Sequence, residues 1–258
     1  MTVELIDSHA HLHAEDFDHD RTEVLERAKI AGIRNIILVG AGDGWRSSEL
    51  ALALADQHDF LWCSVGVHPN SADEPLDYQR LCDLARHPRV VAIGETGLDY
   101  YRRTDNAAAQ RAWFEAHISV ACELNKPLII HSRSTGAECL EVLKGSKASS
   151  VGGVFHCFAE DAAFAQSLSA LNFLVSFPGI VTFKNAESVR DALRAIPLSQ
   201  ILLETDSPYL APVPYRGKRC ESAFMLETAR AIAQIKGISL EELAAVTTAN
   251  ARKLFKLP

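Results

Sequence analysis

The 258-residue sequence predicts a single-domain (β/α)8 barrel, a TIM barrel, on three observations. Eight short apolar runs recur along the chain, each separated from the next by an amphipathic stretch. The runs are continuous rather than alternating, which is the pattern of parallel strands buried on both faces. No Pro- or Ser-rich linker interrupts the series, so residues 1–258 read as one unit. Such barrels typically occupy about 250 residues.

The elements follow in order. VELIDS at 3–8 precedes the helical stretch 20–31, NIILVG at 35–40 precedes 45–58, LWCSVGV at 61–67 precedes 76–86, and RVVAIG at 89–94 precedes 107–125. The second half repeats the rhythm: PLIIH at 127–131 with 134–144, GGVFH at 152–156 with 160–171, and NFLVSF at 172–177 with 184–195. QILLET at 200–205 leads into one long helical tail over about 221–255, in which Asn250 and Lys253 are expected to face solvent or cap turns. Parallel strands that each return by a right-handed helical crossover close naturally into a barrel. An open doubly wound sheet often carries a glycine-rich phosphate loop after its first strand; here that place holds His9, Ala10 and His11.

Composition narrows the function classes. Hydrophobic residues make up 48% and charged residues 23%, the balance of a folded soluble protein. No apolar run approaches the ~18–20 residues of a membrane span, and MTVELIDSHAH lacks the basic-then-apolar pattern of a secretory signal. Six scattered cysteines without a CxxC pair fit reduced thiols in the cytoplasm and give no support to a zinc ribbon. The net charge of −7 argues against a protein that coats nucleic acid. A nuclease remains compatible, because metal ions and a local basic rim offset the overall sign.

In such a barrel the chemistry sits where the C-terminal ends of the strands point. Strand 1 ends in His9 and His11, strand 3 in His68, strand 4 in Glu95, strand 5 in His131 and Arg133, strand 6 in His156, and strand 8 in Asp206. Five of the ten histidines therefore fall on one face. Residues i and i+2 of a strand point the same way, so His9 and His11 can grip one ion. Alone, an HxH pair arises often by chance, and a lone histidine after an apolar run is usually a hydrogen-bonded core residue. Together, four imidazoles and two carboxylates crowded into one mouth need partners, since unpaired buried charge is costly. A catalytic zinc site uses about three protein ligands. Six candidates (His9, His11, Glu95, His131, His156 and Asp206) are too many for one open site and fit two divalent ions. Glu95 bridges, His9, His11 and Asp206 complete one ion, and His131 and His156 the other. Imidazole with carboxylate suits Zn, Mn or Co, with Mg where carboxylate and water dominate.

The strings DSHAHL, GVHPN, GETGLDYY, IIHSR, VFHCF, GIVTFKNA, LLETDSPYLAP and PYRGKR, in order over essentially the whole chain, resemble the TatD family of metal-dependent deoxyribonucleases within the amidohydrolase superfamily. The resemblance implies a TIM barrel, the same six ligands, and Asp206 as a catalytic carboxylate beside a bridging water. It also places Glu95 where many superfamily relatives carry a carbamylated lysine. The chain departs from the family pattern at His13, Cys220 and Ser222, none of them an expected ligand, which leaves substrate contacts in the 215–222 loop less defined.

The expected reaction is hydrolysis of phosphodiester bonds, with DNA single strands or strand ends as substrate and 3'-5' exonuclease-like action. Asp206 exchanges protons with the water and leaving group. His68 is a candidate hydrogen-bond donor to phosphate, and Arg133 a phosphate-steering cation. Lys184, Arg216, Lys218 and Arg219 are candidates for a basic rim, and Tyr100 and Tyr101 for base stacking. For each rim residue the bland alternative is a solvated charge or a packed ring. Hydrolysis of a carbonyl substrate (amide, lactone or aminoacyl ester) is the alternative activity. A non-catalytic metal-binding barrel is disfavoured because all six ligands are present.

Overall fold

The computed structural model describes residues 3–101 and 104–258. Eight parallel strands lie in sequence order around one sheet: β1 Leu5–Ala10, β2 Ile33–Gly40, β3 Leu61–Val65, β4 Val90–Asp99, β5 Leu128–Arg133, β6 Gly153–Phe155, β7 Phe173–Phe177 and β8 Ile201–Leu203. The seam between β8 and β1 is joined by a parallel bridge from Ala10 to Ser207 and by the His11 N–H donating to the Ser207 carbonyl at 2.7 Å. The result is a nearly closed (β/α)8 barrel. β6 and β8 stop short of the predicted 156 and 205, and β4 runs on to Asp99.

Strand alternation explains the continuous apolar runs. Ile6, Ile37, Val39, Ala92, Ile129, Val154 and Leu202 form one buried cluster with Phe255 and Leu257 from the chain's end. Their strand neighbours Leu5, Ile36, Leu38, Leu128, Ile130, Phe155 and Leu203 pack instead into the layer shared with the helices. A strand that must fill both the lumen and the outer layer has no polar face.

The helices are α1 Arg21–Ile30, α2 Gly44–Ala55, α3 Tyr78–Ala85, α4 Ala107–Leu124, α5 Gly136–Lys144, α6 Ala162–Ser169, α7 Glu187–Ala195, α8 Met225–Lys236 and α9 Leu240–Phe255. The predicted single tail helix is two. Gly237, at φ 68°, ends α8 in the left-handed conformation, and the Ser239 hydroxyl accepts the Glu242 N–H at 3.0 Å to start α9. Asn250 is half-buried rather than solvated. Its amide donates to the carbonyls of Leu198 (2.8 Å) and Ile201 (2.9 Å), tying α9 to the start of β8. Lys253 is exposed as expected.

Candidate metal centre

Two irregularities in the sheet aim the central side chains. In the β4–β5 pairing Gly94 faces Ile129 and Thr96 faces Ile130, so Glu95 is the extra residue of a β-bulge. Gly94 and Gly97 flank it, both at φ 135°. A Cβ at Gly97 would lie 2.0 Å from the His131 carbonyl oxygen, and one at Gly94 2.5 Å from that of Ile129. The Gly-Glu-Thr-Gly string is thus what the bulge requires. In β1, Asp7 faces Ile36 and Ala10 faces Leu38, three steps against two, and the extra residue falls at Ser8–His9.

These features, with the end of β8, bring all six expected ligands together. His9 Nε2 and His11 Nε2 lie 3.3 Å apart. Asp206 Oδ1 is 3.7 Å from the first and 3.6 Å from the second. Asp206 sits three residues past β8 at φ 58°, and its N–H donates to the His9 carbonyl at 2.9 Å. On the other side, Glu95 Oε1 is 2.8 Å from His131 Nδ1 and 2.7 Å from His156 Nε2, which are 3.4 Å from each other. Glu95 Oε2 faces His9 Nε2 at 3.5 Å. The two oxygens of this buried carboxylate therefore look toward the two groups.

The outer contacts of the rings set their tautomers. His11 Nδ1 meets the Val39 carbonyl at 2.9 Å, which can only accept, so the hydrogen is on Nδ1 and the Nε2 lone pair points inward. His131 Nε2 meets Asp99 Oδ2 at 3.1 Å, leaving Nδ1 inward. His156 Nδ1 has Glu204 Oε1 at 3.8 Å and no closer partner. His68 is the reverse. Its Nδ1 accepts the Asn70 N–H at 3.0 Å, so its neutral ring carries the hydrogen on Nε2, 3.5 Å from Glu95 Oε1. His68 thus offers the centre a hydrogen rather than a lone pair.

Burial alone would raise the Glu95 carboxyl, but His156, His68 and His131 hold it well below the usual range. Asp206 is likewise lowered against burial by His11, His9 and His156. Burial and His156 together lower His9. Ionised acids surrounded by rings competing for few protons are costly in a buried site, by several kcal/mol per unpaired ion. Divalent cations relieve both sides of that conflict. The carboxylates and the inward nitrogens, Nε2 of His9, His11 and His156 and Nδ1 of His131, fit metal ligation.

Around this centre the sequence-predicted rim divides. Arg133 is exposed, its guanidinium 3.8 Å from the Tyr101 ring centroid, and Tyr101 is 66% exposed. Tyr100 is packed instead, its hydroxyl donating to Glu138 at 3.0 Å. Arg216 lies over Phe183 at 4.1 Å, and Lys218 and Lys184 are exposed. Arg219 does not join the rim: it makes two bonds to Asp20, at 2.8 and 2.7 Å, and stacks on Phe17. The family departures are all buried. Cys220 and Ser222 are buried, and the Ser222 hydroxyl donates to Asp7 at 2.7 Å. His13 is buried against the Ser47 hydroxyl at 2.8 Å.

Four supporting residues had not been singled out in the sequence. Asp99 braces His131. Glu204 accepts from Ser176 at 2.6 Å and from the Cys157 N–H at 2.7 Å beside His156. Asp7, pushed up to about 7 by burial, accepts from the Thr205 N–H (2.9 Å) and hydroxyl (2.7 Å) and so clamps β8 against β1. His117 accepts the Val67 N–H at 3.0 Å and donates to the Trp113 carbonyl at 2.6 Å, fixing the backbone beside His68. The acids stood in the strand-end strings DSH, GLD and LETD, but nothing local separates a brace from a ligand.

A parallel barrel with this cluster at its C-terminal mouth has the architecture of a metal-dependent hydrolase. Residues 6–256 match the family described as TatD related DNase, and the chain belongs to the TatD family. It is 43% identical, over 98% of its length and 96% of the relative's, to an Escherichia coli (strain K12) protein named uncharacterized metal-dependent hydrolase YcfH. It is 35% identical, over 95% of its length and 96% of the relative's, to the 3'-5' ssDNA/RNA exonuclease TatD of Rahnella sp. (strain Y9602). Among solved structures, YJJV, a TatD homolog from Escherichia coli K12, superposes with a TM-score of 0.91 at 26% identity, each chain covered to 100%. Among the described residues no helix is long and apolar enough to cross a membrane.

Proposed function

We propose that this protein is a cytoplasmic nuclease that hydrolyses phosphodiester bonds of DNA from a strand end, 3' to 5', with two divalent cations (Zn, Mg or Mn) as cofactors. His9, His11 and Asp206 would hold one cation and His131 and His156 the other, with Glu95 between them. Bound there, the cations would supply Lewis acidity that activates water and offsets phosphate charge.

The chain's own residues do the rest. Asp206 takes the proton from the attacking water and returns it to the leaving oxygen. Its side chain is 15% exposed, against 4% for Glu95 and 1% for Asp99, so of these three acids it is the one within reach of water and substrate. His68, 13% exposed with its hydrogen on Nε2, donates to a non-bridging phosphate oxygen. Arg133, Arg216 and Lys218 line the rim as cations for the backbone. Glu95 is too deeply buried to exchange protons with bulk solvent, which suits a ligand that stays ionised.

The observation that carries this reading is the convergence of four imidazoles and two carboxylates from five strands, with the inner nitrogens of His11 and His131 set by outer partners. The name of the Rahnella relative supports the substrate class. The test is cleavage of end-labelled single-stranded DNA with Mg or Mn, compared with amide, lactone and aminoacyl ester substrates. Loss of nucleotides from the 3' end, abolished by EDTA, is the expected result. Turnover of a carbonyl substrate without strand cleavage would overturn it.

A further inference from the structure

We propose that Tyr101 and Arg133 form a platform on which an unpaired nucleobase of the strand stacks, an inference that rests on the nuclease reading. β4 and β5 stay in register to their ends, Asp99 opposite Arg133, and the Tyr100 N–H donates to the Arg133 carbonyl at 3.1 Å. This sets the Tyr101 ring beside the Arg133 side chain, the guanidinium carbon 3.8 Å from the ring centroid. A ring covered on one face by a cation and still 66% exposed turns its other face to solvent. The neighbouring Tyr100 shows the contrast: it is half-buried and its hydroxyl is bonded.

The platform is wired to the centre. Arg133 follows His131 by two residues of strand, so both side chains leave β5 on the same side, about 7 Å apart along it. The spacing puts the platform next to the centre along the strand. Asp99 is shared as well: Oδ1 accepts the Tyr101 N–H at 3.0 Å while Oδ2 braces His131 at 3.1 Å. A strand whose phosphate is held at the cluster thus meets the Tyr101–Arg133 pair as its neighbour on the β4–β5 side. Any base has a π-face, so the platform tolerates sequence, and Arg133 adds a cation for the adjoining phosphate. A paired base is already stacked on both faces, so the platform selects single strands or frayed ends.

The test is equilibrium binding, by fluorescence anisotropy with Mg present, of a cleavage-resistant phosphorothioate strand and of the same strand with abasic residues at its 3' end. The wild-type protein is expected to favour the base-bearing strand roughly tenfold. Tyr101→Ala is expected to bind the two strands equally, and Tyr101→Phe, which keeps the π-face, to discriminate like wild type. Undiminished discrimination by Tyr101→Ala overturns the platform even if the protein cleaves DNA. Tyr101-dependent discrimination by a protein that cleaves no strand supports the platform and overturns the reaction instead.

Discussion

The floor and the rim of the barrel mouth treat charge in opposite ways. On the floor, Glu95 lies 2.7–3.5 Å from His9, His131 and His156, with little solvent, and most inner atoms have a counterpart. On the rim, Arg133 and Arg216 rest on aromatic rings and remain exposed, as does Lys218. A floor residue cannot change without stranding a buried charge, at a cost of about 3–5 kcal/mol, whereas a rim charge contributes about 1 kcal/mol or less. In the proposed function, metal ligation and proton transfer fall to the floor and strand affinity to the rim.

The largest effect expected from breaking this division is at Glu95. Glu95→Ala should lower kcat/KM by at least about 1,000-fold while circular dichroism still reports a folded barrel. Near wild-type turnover in this variant would remove Glu95 from the centre. Asp206→Asn should keep its metal, measured by elemental analysis, and lose rate by about 100- to 10,000-fold, the span of general acid–base catalysis. Loss of metal together with rate would show that ligation and proton transfer cannot be separated there.

Stability should respond to acid through His117. Burial lowers this ring to about 4 against an ordinary value of 6.5, so the folded state holds it neutral. Its contribution is whole above pH 6.5 and is lost as pH falls toward 4, on the order of 3 kcal/mol in all. In urea titrations the advantage of wild type over His117→Gln should shrink across that window, and a constant difference would count against this assignment. The smallest effects separate two neighbours. Lys218→Ala should weaken strand binding a few-fold and reduce the salt slope by about one, with no change in Tm. Arg219→Ala, which loses the Asp20 pair and the Phe17 stack, should lower Tm and leave the salt slope alone.

The same division decides what could be read from the sequence. Eight apolar runs foretell the strands because a barrel strand fills two layers at once, as Ile36 and Ile37 do on opposite faces of β2. The six floor residues stand out because each ends a strand and the fold delivers strand ends to one place. Arg219 and Asn250 were misplaced for a shared reason: their partners, Asp20 and the Leu198 and Ile201 carbonyls, are 199 and roughly 50 residues away, beyond any local pattern. The tail break was written locally, in Gly237 and the Ser239–Glu242 cap, but the helical periodicity on both sides masked it. The Glu95 bulge was also written, in its two flanking glycines, yet a continuous apolar run says nothing of register.

The most direct test of the centre is calorimetric titration of EDTA-stripped protein with Mn, wild type beside Glu95→Ala. Two saturable sites in the wild type, both weakened in the variant, are the predicted result. Equal binding by the two proteins, or none by the wild type, would contradict a pair of cations sharing that carboxylate.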